Sequence, residues 1–199
     1  RGTLVSEKSF GQEKDFSGQE ARIGVFVCNC GTNIGGVADV PSIVEFARTL
    51  PGVVYAEENQ FSCSQDTQAN IAQTVRENDL NRVVVAACTP RTHEPLFQET
   101  IRDSGLNPYL FEMANIRNQC TWCHSGDKEK ATAKSKDLVK MAVAKAALLE
   151  AIPEMTVDIT KSALVIGGGL SGMTAALNLG DQGFTVYLLE RDQDLGGVA

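Results

Sequence analysis

The sequence predicts an α/β protein in which a small Rossmann-like domain, with a parallel β-sheet flanked by helices, is followed by the beginning of a second βαβ unit. Two observations predict this class. From residue 23 onward, short apolar segments alternate with longer amphipathic segments, an order typical of parallel strands joined by helices. A glycine-rich turn at Gly167–Gly172 directly follows another apolar segment, which indicates that a second unit begins there.

Four strand–helix repeats make up the first predicted domain, residues 21–152. The predicted strands are Ile23–Cys28, Val53–Ala56, Val83–Ala87 and Pro108–Phe111. The predicted helices are Pro41–Leu50, Gln65–Asn78, Thr92–Ser104 and Asp127–Glu150. Each helix carries apolar residues at helical spacing, Pro41 suits a first turn and Gly105 a helix end. Pro153 marks the boundary to the second unit.

Residues 1–20 are polar and rich in Ser, Gly, Glu and Gln, and they are predicted to form a flexible leader. They lack the apolar stretch of a signal peptide, and no apolar run in the chain reaches the roughly 18 residues of a membrane span. A cytoplasmic location is therefore expected. The net charge of -7 argues against nucleic acid or an anionic membrane as a partner, because both require a basic surface.

The chain has six cysteines, and each of them lies at the end of a predicted strand or after it. They are Cys28, Cys30, Cys63, Cys88, Cys120 and Cys123. Because the carboxyl ends of parallel strands meet at one edge of a sheet, we expect these thiols to lie near that edge. Without an export signal they are expected to be metal ligands or redox groups rather than disulfides. A metal or cationic cluster would neutralise thiolates gathered there.

The ligand set stays open at this point, because a [4Fe–4S] cluster needs four ligands and the chain offers six candidates. The two-residue gap between Cys120 and Cys123 suits either zinc or iron–sulfur. Cys28 and Cys30 are so close in sequence that one of them could be a ligand while the other is free. Arg91 is a candidate to offset the charge of a cluster.

A phosphate-binding glycine motif is predicted at the start of the second unit, residues 160–199. The strand Ala163–Ile166 leads into a GxGxxG pattern, and the helix Met173–Gln182 follows. In such a motif Gly167 permits the tight turn, Gly169 lets the backbone approach a pyrophosphate, and Gly172 lets helix and strand pack closely. The pyrophosphate is expected at the N-terminus of the helix.

The residues after this helix indicate FAD as the cofactor of the intact protein. The strand Thr185–Leu189 ends at Glu190, which is expected to bind ribose hydroxyls. Gly196 and Gly197 follow six residues later, a spacing that resembles FAD-binding disulfide-reductase-like flavoproteins. Only the beginning of such a domain is present, so residues 160–199 are expected to be disordered or loosely docked and to bind FAD weakly or not at all.

Several segments together resemble HdrA, the flavin-containing iron–sulfur subunit of heterodisulfide reductase, over roughly residues 22–199. These segments are Arg22–Asn33 (RIGVFVCNCGTN), Arg82–Pro95 (RVVVAACTPRTHEP), Asn107–Arg117 (NPYLFEMANIR) and Asp137–Glu150 (DLVKMAVAKAALLE). The resemblance implies the N-terminal cluster domain and the start of the FAD domain. It also implies that the cluster is held by cysteines among those at 28, 30, 63, 88 and 120, while Cys123 departs from the family pattern.

The resemblance further implies an oxidoreductase subunit that carries FAD and [4Fe–4S] clusters and takes part in electron bifurcation. The implied partners are heterodisulfide reductase subunits B and C, ferredoxin, and a hydrogenase or formate dehydrogenase that supplies electrons. The fragment alone is not expected to be catalytic, and no catalytic residues are predicted. Two alternatives are a zinc-stabilised interaction domain and an FAD-linked thiol–disulfide oxidoreductase that uses Cys120 and Cys123.

Overall fold

The structure is a computed structural model that describes residues 8–197. The chain forms two compact units, one that spans Ser9–Pro153 and one that contains Glu154 and the residues after it. Each unit has its own parallel sheet.

The first unit is built on a four-stranded parallel sheet in the order β2-β1-β3-β4. Its strands are β1 (Ile23–Cys28), β2 (Val53–Asn59), β3 (Arg82–Ala87) and β4 (Phe111–Asn115). Its helices are α1 (Val40–Arg48), α2 (Gln65–Glu77), α3 (Pro90–Asp103) and α4 (Lys128–Ala146), and a π-helical turn spans Arg117–Thr121. The parallel sheet flanked by helices that the sequence predicts is confirmed.

Strands β1 and β3 lie at the centre of the sheet because almost every one of their residues is apolar. Both strands are buried along their whole length, as strands covered on both faces must be. Helix α1 packs on α4, and α2 packs on α3. Right-handed crossovers explain why the helices pack in these two pairs. The chain moves across the sheet from β1 to β2 in one direction and from β2 through β3 to β4 in the other.

The fourth strand is the one element that the sequence places wrongly. It was expected at Pro108–Phe111, but β4 begins at Phe111. The preceding residues form a turn in which the Leu110 N–H donates to the Asn107 carbonyl at 3.0 Å, and the Asn107 side chain accepts from the Tyr109 N–H at 3.0 Å. Asn107 thus stabilises a turn that the apolar character of the segment conceals. The other predicted elements lie where expected, with ends that differ by about a turn or less.

Residues 9–20, predicted as part of a flexible leader, lie against the first unit. The Lys14 N–H donates to the Gly105 carbonyl at 3.0 Å, and the Glu13 carboxylate accepts from the Asn107 amide at 3.0 Å. The Arg102 guanidinium stacks 5.1 Å from the centre of the Phe10 ring. Residues 1–7 of the predicted leader lie outside the described residues.

The second unit contains β5 (Ser162–Ile166), α5 (Leu170–Asp181) and β6 (Thr185–Leu189), with β5 and β6 parallel. No residue of α5 is buried, and both strands alternate between exposed and partly exposed positions. The unit therefore has little core of its own, and its disorder in isolation stays a prediction. Among residues 8–197, every helix is too short or too polar to cross a membrane.

Candidate functional site

The candidate site lies at the carboxyl ends of β1 and β3. From these adjacent strands the chain leaves in opposite directions, because α1 leads to β2 on one side of the sheet and α3 leads to β4 on the other. Such a switch point leaves a crevice outside the strand ends, where open α/β sheets bind ligands. Cys28 is the last residue of β1, and Cys88 is the first residue after β3.

Cys30 and Cys63 act electrostatically on both Cys28 and Cys88 at this crevice, and we call these residues the four-cysteine group: Cys28, Cys30, Cys63 and Cys88. Burial is the main cause that raises the pKa of Cys28, and the charges of Cys30 and Cys63 raise it further. Burial also raises the pKa of Cys88, with additional contributions from Cys63 and Cys30. Since Cys28 and Cys88 are only 5% and 8% exposed, their ionisation requires a nearby positive charge.

The loop after β1 is folded tightly around Asn29, the residue between the first two cysteines. The Asn29 N–H donates to the Asn59 carbonyl at 2.7 Å, which extends the pairing of β1 with β2 beyond Cys28. On its other side Asn29 lies against Gly35, where a Cβ atom would stand 1.7 Å from the Asn29 Oδ1 atom. Glycine at position 35 therefore allows this close approach of the Asn29 side chain to the loop.

Two helix N-termini follow the other members of the four-cysteine group. Cys63 lies two residues before α2, whose N-cap is Ser64, and Cys88 lies two residues before α3, whose N-cap is Thr89. Neither cap side chain accepts a hydrogen bond from a backbone N–H of its helix, so N–H groups remain there for another acceptor. The positive ends of the two helix dipoles favour thiolates and other anions at these positions.

Two buried polar atoms near the end of β1 make no hydrogen bond of normal geometry among residues 8–197, the Ser62 hydroxyl and Asn59 Oδ1. The Ser62 N–H donates to the Cys28 Sγ atom at 3.5 Å, and the Ser62 hydroxyl lies close enough to that sulfur to lower the pKa of Cys28. A buried polar group without a partner costs about 1–3 kcal/mol. Because the sulfurs of an iron–sulfur cluster accept hydrogen bonds, the Ser62 hydroxyl and the soft thiolate donors fit such a cluster.

The two remaining cysteines form a separate pair on the π-helical turn and the residues after it. Cys120 is fully buried, and its Sγ atom lies 3.0 Å from the Ala131 carbonyl and 3.2 Å from the Ser135 hydroxyl. Burial is the largest cause that raises the pKa of Cys120. Cys123 is exposed, with its Sγ atom 3.3 Å from the Asn118 carbonyl. Each of these two thiols thus donates a hydrogen bond to a backbone carbonyl.

Arg117 is a site residue that was not singled out for a role from the sequence. Its charge lowers the pKa of Cys88, against the effect of burial, and its guanidinium stacks 4.7 Å from the centre of the Trp122 ring. Arg91, the candidate for this role, is exposed at the start of α3. The cysteines were located because ligand-binding residues follow the carboxyl ends of parallel strands. The same rule applies to Arg117, because Arg117 follows the end of β4 by two residues.

Within residues 8–197, no three His, Cys, Asp or Glu side chains meet in the way that a single metal ion requires. A cubane spreads its four ligands over separate corners, so its thiolates need not converge on one point. All six cysteines are free in the structure.

The glycine motif of the second unit has the backbone geometry of a nucleotide-binding turn. Gly167 has a φ of +102°, and a Cβ atom at Gly172 would stand 1.8 Å from the Gly167 carbonyl oxygen. Gly169 is the N-cap of α5. Because glycine has no side chain, no side chain caps the first turn of this helix. These features leave the start of α5 open to a pyrophosphate.

Glu190 stands at the end of β6 and accepts hydrogen bonds from the backbone N–H groups of Gly168, Arg191 and Asp192. These bonds lower the pKa of the Glu190 carboxyl. Gly196 donates to the Gly168 carbonyl at 2.8 Å, which brings the second glycine pair beside the first motif. A cleft of about 530 Å³ is lined by Ile166, Gly167, Leu189, Glu190, Arg191, Asp192 and Gly197.

Comparison with known families supports the assignment of the second unit. The profile of the NAD(P)-binding Rossmann-like domain matches residues 165–199, which are the glycine motif, α5, β6 and the residues that follow.

Comparison with curated proteins extends over both units. The chain is 55% identical over 179 residues to one of the CoB–CoM heterodisulfide reductase iron-sulfur A subunits of Methanopyrus kandleri, a match that covers 90% of the chain and 27% of the relative. It is 52% identical to a protein of Archaeoglobus profundus named as similar to the heterodisulfide reductase A subunit, with 90% and 26% covered. It is 48% identical to the A subunit of the H(2):CoB-CoM heterodisulfide,ferredoxin reductase of Methanothermobacter thermautotrophicus, with 94% and 28% covered.

The resemblance to the HdrA subunit of heterodisulfide reductase, stated from the sequence, is therefore confirmed. The chain spans about a quarter of the length of these curated relatives.

Proposed function

We propose that this chain is an electron-transfer segment of a heterodisulfide reductase-type oxidoreductase and that it holds a [4Fe–4S] cluster. The proposed ligands are Cys28, Cys30, Cys63 and Cys88. The observation that carries the proposal is the placement of Cys28 and Cys88 at the carboxyl ends of the adjacent strands β1 and β3, with Cys30 and Cys63 close enough to act electrostatically on both. The name of the Methanopyrus relative, an iron-sulfur subunit, agrees with it.

The residues around the four-cysteine group each have a role in this proposal. Burial of Cys28 and Cys88 excludes water from two of the ligands, and the N-termini of α2 and α3 stabilise the negative charge of the thiolates. Arg117 adds a positive charge beside Cys88. When bound, the cluster supplies one-electron transfer at a potential set by hydrogen bonds and exposure to solvent.

The family resemblance includes Cys120 among the candidate ligands, whereas the proposed ligand set excludes it. Its thiol donates to the Ala131 carbonyl and is buried between the π-helical turn and α4. A thiol must lose its proton to bind iron. Ligation by Cys120 would break this hydrogen bond, and four other thiols are available without that cost.

For the intact protein we propose FAD at the glycine motif, with the pyrophosphate at the N-terminus of α5 and ribose hydroxyls near Glu190. Flavins exchange both one and two electrons, which suits an electron-bifurcating complex. The Methanothermobacter relative is named as part of an H(2):CoB-CoM heterodisulfide,ferredoxin reductase. Ferredoxin, subunits B and C, and a hydrogenase or formate dehydrogenase are therefore the proposed partners of the intact protein.

The thiol–disulfide alternative is disfavoured by the setting of its CxxC pair. A thiol that attacks disulfides is accessible and readily ionised, whereas Cys120 is fully buried and its pKa is raised. The zinc alternative is separated from the cluster by metal analysis, because thiolates suit both zinc and iron–sulfur clusters.

Iron and acid-labile sulfide analysis of the anaerobically reconstituted chain tests the proposal, together with EPR spectra before and after reduction with dithionite. We expect about four irons and about four sulfides per chain, the content of one cubane, and a cubane signal in the reduced state. Bound zinc, or the absence of both iron and sulfide, would contradict the proposal.

A further inference from the structure

We propose that Ser62 donates a hydrogen bond from its hydroxyl to a sulfur of the bound cluster, near the corner held by Cys28, and thereby raises the reduction potential of the cluster. This inference rests on the proposed function, because it names a residue that would tune the same site. Ser62 is a positioning and tuning residue, not a ligand.

The backbone around Ser62 places it between two members of the four-cysteine group. The Ser64 N–H donates to the Phe61 carbonyl at 2.9 Å, which makes Ser62 and Cys63 the two central residues of a tight turn. From this turn the Ser62 N–H donates to the Cys28 Sγ atom at 3.5 Å. The residue is thus adjacent to Cys63 in the chain and hydrogen-bonded to Cys28 in space.

The Ser62 hydroxyl differs in its hydrogen bonding from nearly all other buried polar groups of residues 8–197. It is fully buried, and only two other buried side-chain polar atoms of these residues share its lack of a partner. One of the two is Asn59 Oδ1, on the residue that pairs with Cys28 across β1 and β2. Serine carries one donor, and a buried donor needs an acceptor. The sulfur at the Cys28 corner is the acceptor within reach of the Ser62 side chain.

A sulfur that accepts a hydrogen bond is stabilised most in the reduced cluster, because the reduced cluster carries more negative charge. The donor therefore favours reduction and raises the potential. The Ser62 N–H already acts in this way toward Cys28 Sγ, and the hydroxyl of the same residue adds a second donor at the same corner.

The experiment compares the wild-type chain with Ser62→Ala, Ser62→Thr and Ser64→Ala after anaerobic reconstitution. Ser64→Ala is the matched control, since it removes a hydroxyl two residues away that already bonds to Thr67 Oγ1 at 2.9 Å. The midpoint potential is measured by EPR-monitored titration. ENDOR spectra in deuterium oxide then show whether an exchangeable hydrogen couples to the reduced cluster.

We expect Ser62→Ala to bind as much iron as wild type, to shift the midpoint to lower potential and to lose one exchangeable coupling. Ser62→Thr and Ser64→Ala should keep both wild-type properties. An unchanged potential and unchanged couplings in Ser62→Ala would overturn the inference, while its iron content would leave the proposed function standing.

If Ser62→Ala fails to bind the cluster, the Ser62→Thr variant tests the inference. A loaded Ser62→Thr variant with the wild-type potential and coupling supports the inference, because the hydroxyl is retained. A lowered potential or a lost coupling in Ser62→Thr would assign the effect to packing and overturn the inference. A wild-type chain without iron would overturn both the inference and the proposed function.

Discussion

The sulfur of Cys120 lies 3.0 Å from the carbonyl oxygen of Ala131, in the first turn of α4. The contact joins the π-helical turn after β4 to α4, and Ser135, one turn further along, lies 3.2 Å from the same sulfur. These contacts link Cys120 to α4. Cys120 and Cys123 follow β4, apart from the four cysteines that we propose as ligands.

The first prediction tests the four cysteines that are proposed as ligands of the cluster. Single changes of Cys28, Cys30, Cys63 or Cys88 to Ala remove one proposed ligand, so each should lower the iron bound per chain well below the wild-type value. Cys123→Ala is the matched control, because Cys123 is exposed and outside the four-cysteine group, and it should retain the wild-type iron content. Iron analysis after reconstitution and desalting measures the effect.

Cys120→Ser separates a structural role from ligation at the remaining position. Serine keeps a hydrogen-bond donor for the Ala131 carbonyl, so the variant should fold and retain its iron. Loss of iron in Cys120→Ser, with full iron in one of the four other variants, would show that the ligand set includes Cys120.

The ends of β1 and β3 were predictable because the pattern of apolar segments fixes where these buried strands stop, and Cys28 and Cys88 lie at those ends. The packing of Cys120 was not predictable from the sequence. It depends on how Cys120 meets Ala131, a contact made only when α4 packs beside the π-helical turn. Likewise the apolar spacing that located four helices gave no sign of the turn at Asn107, because a side-chain hydrogen bond to the backbone leaves no periodic pattern.

The second prediction concerns the two glycines of α5 in the second unit. Gly172→Ala should disrupt the β5–α5 packing, because its Cβ would stand 1.8 Å from the Gly167 carbonyl oxygen. Gly180→Ala is the matched control on the same helix, where a Cβ meets nothing within 4 Å. It should stabilise α5 by about 0.5–1 kcal/mol, because alanine restricts the unfolded chain more than glycine does.

Backbone amide NMR spectra of the two glycine variants measure this effect. Where the βαβ unit is folded, signals from residues 162–189 should shift or broaden in Gly172→Ala and remain in Gly180→Ala, while those of Ser9–Pro153 stay unchanged in both. Equal spectra for the two variants would show that close approach at Gly172 is not required for the βαβ unit.

The third prediction concerns pH and Tyr55, whose hydroxyl donates to the Glu57 carboxylate at 2.6 Å. Burial is the main cause that raises the pKa of Tyr55 to about 12, and the bond to Glu57 adds to it. Because the folded pKa lies above the unfolded value of 10.0, folding favours the neutral phenol. This contribution to stability is complete below pH 10 and is lost as the pH rises through about 12.

The ultraviolet absorbance of tyrosinate checks this prediction when the titration of Tyr55→Phe is subtracted from that of wild type. The difference should have a midpoint near pH 12, and the wild-type free energy of unfolding should fall more steeply than that of Tyr55→Phe between pH 10 and 12. A difference curve with its midpoint at pH 10 would show that Tyr55 is neither buried nor bonded to Glu57 in solution.

The last prediction tests the role of Arg117, whose positive charge acts on Cys88. A cation beside a cluster favours the reduced state, because reduction adds negative charge, so Arg117→Gln should lower the midpoint potential of the bound cluster. Arg91→Gln is the control, since Arg91 is exposed at the start of α3, where solvent screens its charge. EPR-monitored titrations of both variants should show a shift in Arg117→Gln that exceeds any shift in Arg91→Gln.

Because Arg117 also stacks on Trp122 at 4.7 Å, the Arg117→Lys variant adds a second comparison. It keeps a point charge while the planar stack is lost. If Arg117→Lys retains the wild-type potential and Arg117→Gln does not, charge is the cause, whereas equal shifts in both variants would assign the effect to the stack on Trp122.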